Sequence, residues 1–61
     1  MTTAERILTA HKQETYQQRA ALENECRDLS IHLESFNCYD ITYHFYDGSG
    51  IKKDRDGFSE I

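Results

Sequence analysis

The first 36 residues contain neither glycine nor proline, and this continuity constrains the fold more than any other feature of the sequence. The segment is rich in Ala, Glu, Gln, Arg and Leu, which are good helix formers. Thr2 with Glu5 three residues later matches the capping-box pattern that begins many helices. We therefore predict one amphipathic helix over residues 2–36. It would be roughly 50 Å long, about twice the width of a compact domain of 61 residues.

Apolar residues in this segment form a stripe that a lone helix of this size would leave uncovered. Five of them alternate at spacings of four and three, as in helices that pack knobs into holes: Leu22, Cys26, Leu29, Leu33 and Phe36. Leu8 extends the stripe towards the N-terminus. The pattern predicts a homo-oligomer, dimeric or larger, whose interface consists of these six residues.

The polar centre of the stripe indicates how the helices would pair. A parallel dimer sets Arg19 against its own copy, whereas an antiparallel dimer brings Arg19 close to Glu25, so the antiparallel arrangement is favoured. In the alternative, the segment folds back as a helical hairpin with a turn near Gln17-Gln18. That turn would lack the residues that usually form turns, namely Gly, Pro, Asn and Asp.

Composition changes after Asn37, a residue that commonly ends helices. From Cys38 to Tyr46, aromatic and β-branched residues alternate with polar ones, as in a strand with one buried face. Asp47-Gly48-Ser49-Gly50 is a strong turn signal, and a returning edge strand follows it. We predict an aromatic-rich β-hairpin over 38–58 and a tail over 59–61, so the whole chain is one small α+β domain.

Charge and composition exclude several classes of protein. Eleven acidic and seven basic residues give a net charge of −4, which argues against binding of duplex nucleic acid. No apolar run is long enough to span a membrane, and the polar opening residues predict no secretory leader. Two cysteines do not make a disulfide framework. We therefore expect a cytoplasmic protein without a membrane anchor.

Cys26, His32, Cys38 and His44 follow one another at intervals of six residues and are the most suggestive metal pattern in the chain. Structural zinc sites use closer pairs of ligands. In a helix, a step of six residues rotates the side chain by about 240°, so Cys26 and His32 would point in different directions. No nucleophile motif is present either. The sequence therefore predicts no metal, no cofactor and no enzymatic activity.

The aromatic C-terminal segment is the expected recognition surface. Tyr39, Tyr43 and Phe45 are predicted to face the helix. The partner-binding candidates are the residues expected to point outwards and the lysines beside them: His44, Tyr46, Lys52 and Lys53. We expect a small regulatory or adaptor protein that binds another protein.

The alternative function is binding of single-stranded nucleic acid. Aromatic side chains can stack on bases while nearby cations hold the phosphates. The residues assigned to these roles are Tyr39, Tyr43 and Tyr46 for stacking, with Lys52, Lys53 and Arg55 for the phosphates.

Overall fold

The computed structural model describes residues 1–61 and contains two short helices and a four-stranded antiparallel sheet. The elements are α1 (Thr3–Ala10), α2 (Tyr16–Leu29), β1 (Ser30–Ser35), β2 (Ile41–Phe45), β3 (Gly50–Asp54) and β4 (Gly57–Glu60). The strands lie in chain order, each antiparallel to the next. The chain is an α+β protein, but the prediction of one helix over 2–36 followed by a two-stranded hairpin over 38–58 is wrong.

The predicted helix breaks after Ala10 because a second helix has its own N-terminal cap. The Thr15 hydroxyl accepts a hydrogen bond from the Gln18 N–H at 3.1 Å, and the Gln18 side chain accepts one from the Thr15 N–H at 3.1 Å. This capping box requires an extended backbone at Thr15, which a continuous helix cannot provide. The helical-hairpin alternative places its turn at Gln17-Gln18, which lies inside α2.

The second helix ends at Leu29, eight residues before the predicted stop at Asn37. Ser30 is extended, with φ −72° and ψ 138°, and its hydroxyl donates to the Arg27 carbonyl at 3.1 Å. The following residues alternate between polar and apolar, and they pair with β2 as a strand. Leu33 is therefore a strand residue and Phe36 lies beyond the strand, so no helical seam exists to mediate oligomerisation.

Both helices cover the same face of the sheet. α1 packs on β3 and β4, while α2 packs on β2. The core between the layers consists of Ala4, Ile7, Leu22, Cys26, Tyr43, Phe45, Ile51 and Phe58. Leu22 and Cys26, predicted as interface residues, are thus buried within the chain itself, and Leu8 packs partly buried against the same core.

The β2–β3 turn holds the first helix in place. The predicted turn at 47–50 is present, and the Thr3 N–H donates to Asp47 Oδ2 at 2.8 Å. The Ala4 N–H donates to Ser49 Oγ at 3.2 Å. These bonds satisfy two of the N–H groups that the start of a helix leaves free. Hydrogen bonds from the Ser49 hydroxyl and the Thr3 N–H hold the pKa of the Asp47 carboxyl well below its usual range.

Candidate functional site

The sheet face opposite the helices is open. Since Tyr43 and Phe45 of β2 point into the core, strand alternation directs the residues between them to the other face. The strand register then places polar residues from all four strands together on this face, namely His32, Glu34, Thr42, His44, Lys52, Asp54 and Ser59. We call this set the open face.

Two imidazoles and a carboxylate lie together on the part of the open face that β1 and β2 form. The Nε2 atom of His44 lies 2.9 Å from Glu34 Oε1, and that of His32 lies 3.8 Å from the same oxygen. The two histidine rings are 5.7 Å apart between centroids and tilted by 33°. The second carboxylate oxygen of Glu34 has no hydrogen-bond partner within the chain. The cluster therefore keeps one free acceptor.

The cysteines do not join these histidines. Cys26 of α2 is buried in the core. This burial, with the charges of Glu25 and Glu23, raises the pKa of its thiol to about 12. Cys38 is exposed in the β1–β2 loop. The structure thus separates the four residues of the six-residue pattern into a core thiol, a loop thiol and a pair of neighbouring histidines. No group of three His, Cys, Asp or Glu side chains has the geometry to hold a metal ion.

The four predicted partner-binding residues are divided between the two sides of the sheet. His44 and Lys52 lie on the open face, and Lys52 forms no salt bridge. Tyr46 follows β2 and is 72 % exposed. Lys53 lies on the helix side, where its Nζ is 2.7 Å from Glu23 Oε2. Two of the four candidates therefore lie on the open face, and Tyr46 is exposed in the turn that follows β2.

The residues assigned to nucleic-acid stacking are not brought together. Tyr43 is fully buried in the core. Tyr39 lies in the β1–β2 loop, where the Arg55 guanidinium is 4.3 Å from its ring centroid. Tyr46 is at the other end of β2. The structure offers no row of exposed aromatic rings.

A shallow groove of about 220 Å³ runs between α2 and the β3–β4 hairpin. Two of its charged lining residues, Glu23 and Lys53, are paired with each other at 2.7 Å, and Glu23 also contacts Arg27 outside the groove at 2.6 Å. Small-molecule sites in proteins usually enclose about 300–1,000 Å³. The groove is therefore a weaker candidate for a binding site than the open face.

The edge of the sheet at β4 is covered by a side chain. The Phe58 N–H donates to Gln13 Oε1 at 2.7 Å, and Gln13 Nε2 donates to the Phe58 carbonyl at 3.0 Å. Register and alternation direct both of these Phe58 groups away from β3. The Gln13 amide thus takes the place that a neighbouring strand would occupy.

The edge at β1 has no such cover. The Phe36 N–H donates to the Asp40 carbonyl at 3.0 Å, which fixes the phase of the β1–β2 ladder. By alternation, the backbone groups of Leu33 and Ser35 point outwards, away from β2. Of the predicted interface residues, Leu33 lies on this edge and is 44 % exposed. Leu29 before the strand and Phe36 after it are 36 % and 70 % exposed. We call residues 31–35 the β1 edge.

Sequence reasoning missed four residues that shape the fold and these surfaces, namely Gln13, Thr15, Gln18 and Glu34. Thr15 and Gln18 match the same capping pattern that was recognised at Thr2, so the sequence does carry a signal for the break before α2. The signal for Glu34 is its alternation with His32, which indicates a strand. Gln13 has no sequence signal, because nothing local indicates that a loop amide will pair with a strand 45 residues away.

No protein family, curated protein or solved structure matched this chain when it was compared with known proteins. Neither helix has the length and apolar composition that crossing a lipid bilayer requires.

Proposed function

We propose that this protein is a non-enzymatic regulatory or adaptor module that binds a protein partner through its open face. The observation that carries the proposal is the uncovered face of the sheet, which presents side chains from all four strands on a rigid scaffold. The contact residues are His44 and Lys52 on that face and Tyr46 beside it.

The chemistry of these residues suits a protein partner. The Tyr46 ring makes no hydrogen bond within the chain and is 72 % exposed, and exposed tyrosines are frequent centres of binding energy in interfaces. Lys52 is free of any salt bridge, unlike its neighbour Lys53. The expected partner presents an acidic group to Lys52 and an apolar surface to Tyr46.

Support for the alternative, single-stranded nucleic acid, is smaller. Base stacking without sequence preference needs accessible rings along a cationic track. Of the three tyrosines assigned to this role, Tyr43 is buried and the other two lie at opposite ends of β2. Of the three cations, only Lys52 has neither an ion pair nor a cation–π contact.

The experiment compares capture of proteins from a lysate of the source cells by immobilised wild type, Tyr46→Ala and Tyr16→Ala. Tyr16 is the matched control, because it is 86 % exposed but lies at the start of α2, on the helix side of the molecule. Nuclease treatment of a parallel sample separates direct protein binding from binding through nucleic acid. Binding of a labelled single-stranded oligonucleotide is measured by anisotropy at low salt.

A protein retained by wild type and by Tyr16→Ala, but lost with Tyr46→Ala, supports the proposal. Loss of that protein after nuclease treatment, together with salt-sensitive oligonucleotide binding, would favour the nucleic-acid alternative. Equal capture by all three proteins would place the recognition surface elsewhere. The far-ultraviolet circular dichroism of both variants should match that of wild type, since neither side chain contributes to the core.

A further inference from the structure

The bare edge of the sheet has a sequence that complements itself. Because the backbone groups of Leu33 point outwards, an incoming antiparallel strand would pair with this residue directly. Residues flanking Leu33 differ in character, with an imidazole at His32 and a carboxylate at Glu34. A second β1 strand running in the opposite direction therefore meets each of these groups with the other.

We propose that the β1 edge pairs with the β1 edge of a second copy of this chain, antiparallel and centred on Leu33. The two Leu33 residues exchange both backbone hydrogen bonds across a two-fold axis. His32 of each copy lies directly opposite Glu34 of the other on the open face, in the non-hydrogen-bonded positions where side chains are closest. The result is one eight-stranded sheet with both pairs of helices on the same side.

The pairing of unlike side chains favours this register over its neighbours. Outward backbone groups must face one another, so the second strand can shift only by two residues at a time. Each such shift moves the centre of the pairing by one residue. A shift of the centre to Glu34 sets the two Glu34 carboxylates against each other, and a shift to His32 sets the two imidazoles against each other. Only the register centred on Leu33 places groups of opposite character together at both positions.

The surroundings of the β1 edge leave room for a second copy. The main helix contacts are with β2, β3 and β4, and Leu33 on the helix side of β1 is 44 % exposed. The two Leu33 side chains would cover each other on that side. On the open face, Glu34 Oε1 already bonds to His44. The other carboxylate oxygen of Glu34, Oε2, is free to accept a hydrogen bond from His32 of the second copy.

A bulge sets the limit of the pairing. The β1–β2 register shifts between Ser30 and His32, which leaves Ile31 as the extra residue. Bulges twist an edge and restrict strand addition, so the paired segment covers about five residues from Ile31 to Ser35. An interface of this size is small, and we therefore expect a dissociation constant in the micromolar range.

The test is sedimentation equilibrium on wild type, His32→Glu and the double variant His32→Glu/Glu34→Lys. His32 is 64 % exposed, so its replacement should not affect the fold, which circular dichroism would verify. His32→Glu sets carboxylates opposite each other twice in the dimer and should weaken association by at least about tenfold. The added Glu34→Lys restores opposite charges at both positions and should recover most of the affinity.

A second variant, Leu33→Pro, tests the backbone contact. Since the Leu33 N–H points away from β2, proline there removes a donor used only between copies and is compatible with an edge strand. The dimer should be lost while the monomer keeps its fold.

A wild-type protein that stays monomeric at several hundred micromolar would overturn the proposal. So would a dimer that His32→Glu leaves intact, or one that the double variant does not rescue, because either result excludes the register centred on Leu33. Failure here is distinct from failure of the proposed function, which the Tyr46→Ala capture experiment reports.

Discussion

The two edges of the sheet are treated differently. At β4, the backbone of Phe58 is satisfied in both directions by one glutamine side chain, with hydrogen bonds of 2.7 Å and 3.0 Å to Gln13. At β1, the outward backbone groups of Leu33 and Ser35 have no partner within the chain. Exposed strand edges promote association between chains, and natural proteins usually protect them. The difference indicates that strand pairing is blocked at Phe58 of β4, whereas the outward backbone groups of β1 are not blocked.

The cover at β4 comes from the connection between the helices. Gln13 lies in the short segment after α1, and α1 is fixed in turn to the β2–β3 turn through Asp47 and Ser49. The cover is thus a tertiary feature that depends on the position of α1. Four variants or conditions test this comparison of the two edges, and we describe them in order of decreasing effect.

The largest effect is expected from Gly57→Ala. Gly57 has φ +129°, and a Cβ there would lie 2.5 Å from Gln13 Oε1. The substitution therefore combines backbone strain with displacement of the Gln13 side chain, and we expect a loss of about 3 kcal/mol in the free energy of unfolding. Urea denaturation monitored by circular dichroism measures it.

Gly48→Ala is the matched control for that variant. Gly48 also has a positive φ of +87°, but no atom lies within 4 Å of the added Cβ. The loss in the free energy of unfolding of Gly48→Ala should reflect backbone strain alone, about 1–2 kcal/mol. Equal losses for the two glycines would show that the Gln13 contact contributes nothing.

The next effect is that of Gln13→Ala, which removes the cover and leaves the backbone groups of Phe58 unpaired. We expect a loss of about 1–3 kcal/mol and faster amide hydrogen exchange at Phe58, measured by nuclear magnetic resonance. Gln17→Ala is the control, because Gln17 is exposed and should change stability by less than about 0.5 kcal/mol. Unchanged exchange at Phe58 in Gln13→Ala would contradict the role assigned to this glutamine.

Acid should weaken the attachment of α1 to the β2–β3 turn, and with it the cover at β4, through protonation of Asp47. The pKa of its carboxyl is lowered from the ordinary value of 3.8 by hydrogen bonds from Ser49 and Thr3, so the folded state favours the ionised form. This contribution is complete above that ordinary value and is lost as the pH falls below it. Melting temperatures between about pH 6 and about pH 2.5 should fall more steeply for wild type than for Asp47→Asn.

The control for the acid experiment is Asp28→Asn. Asp28 is exposed and makes no hydrogen bond or salt bridge in the structure, so its replacement should leave the acid slope as in wild type. A slope that is the same in wild type and in Asp47→Asn would show that Asp47 does not couple the helix to the turn.

The smallest effect is expected next to the β1 edge, from Tyr43→Phe. Tyr43 lies opposite Leu33 in the register with β1, and its buried hydroxyl has no hydrogen-bond partner. Removing an unpaired buried hydroxyl should leave stability unchanged or raise it by up to about 1 kcal/mol. A loss of more than about 1 kcal/mol in chemical denaturation would show that the hydroxyl is bonded.

Part of the C-terminal half of the fold could be predicted from the sequence. The strand expected at an edge is β3, which lies between β2 and β4, and β4 itself was not predicted. Alternation of Tyr43 and Phe45 with polar residues indicates the strand and its buried face, and Asp47-Gly48-Ser49-Gly50 indicates the turn. The exposure of Tyr46 was also expected correctly. Tyr39 was not, since it lies in the loop before β2 and is 52 % exposed. Lys53 faces the helix side because it is two residues from the buried Ile51 on β3. Its ion pair there is with Glu23, on a helix whose position the sequence did not reveal.

The N-terminal half was mispredicted because two periods fit the same residues. Leu29, Leu33 and Phe36 have the spacing of a helix face, but Ile31-His32-Leu33-Glu34 also alternates between apolar and polar residues, as a strand does. Local helix propensity favoured the helix, but pairing with β2 makes residues 30–35 a strand, and the capping box at Thr15 separately divides the predicted helix in two. Propensity is a weak guide where tertiary pairing competes with it. The free β1 edge follows from that pairing, so the candidate interface could not be located before β1 was recognised.

The anchoring of α1 also bears on the order in which the protein folds. Its first two N–H groups are bonded by side chains 44 and 45 residues further along the chain. A helix of eight residues is too short to be stable alone, so α1 gains its stability only after the β2–β3 hairpin has formed. Substitutions at the Thr3–Asp47 contact should therefore accelerate unfolding and leave the refolding rate almost unchanged.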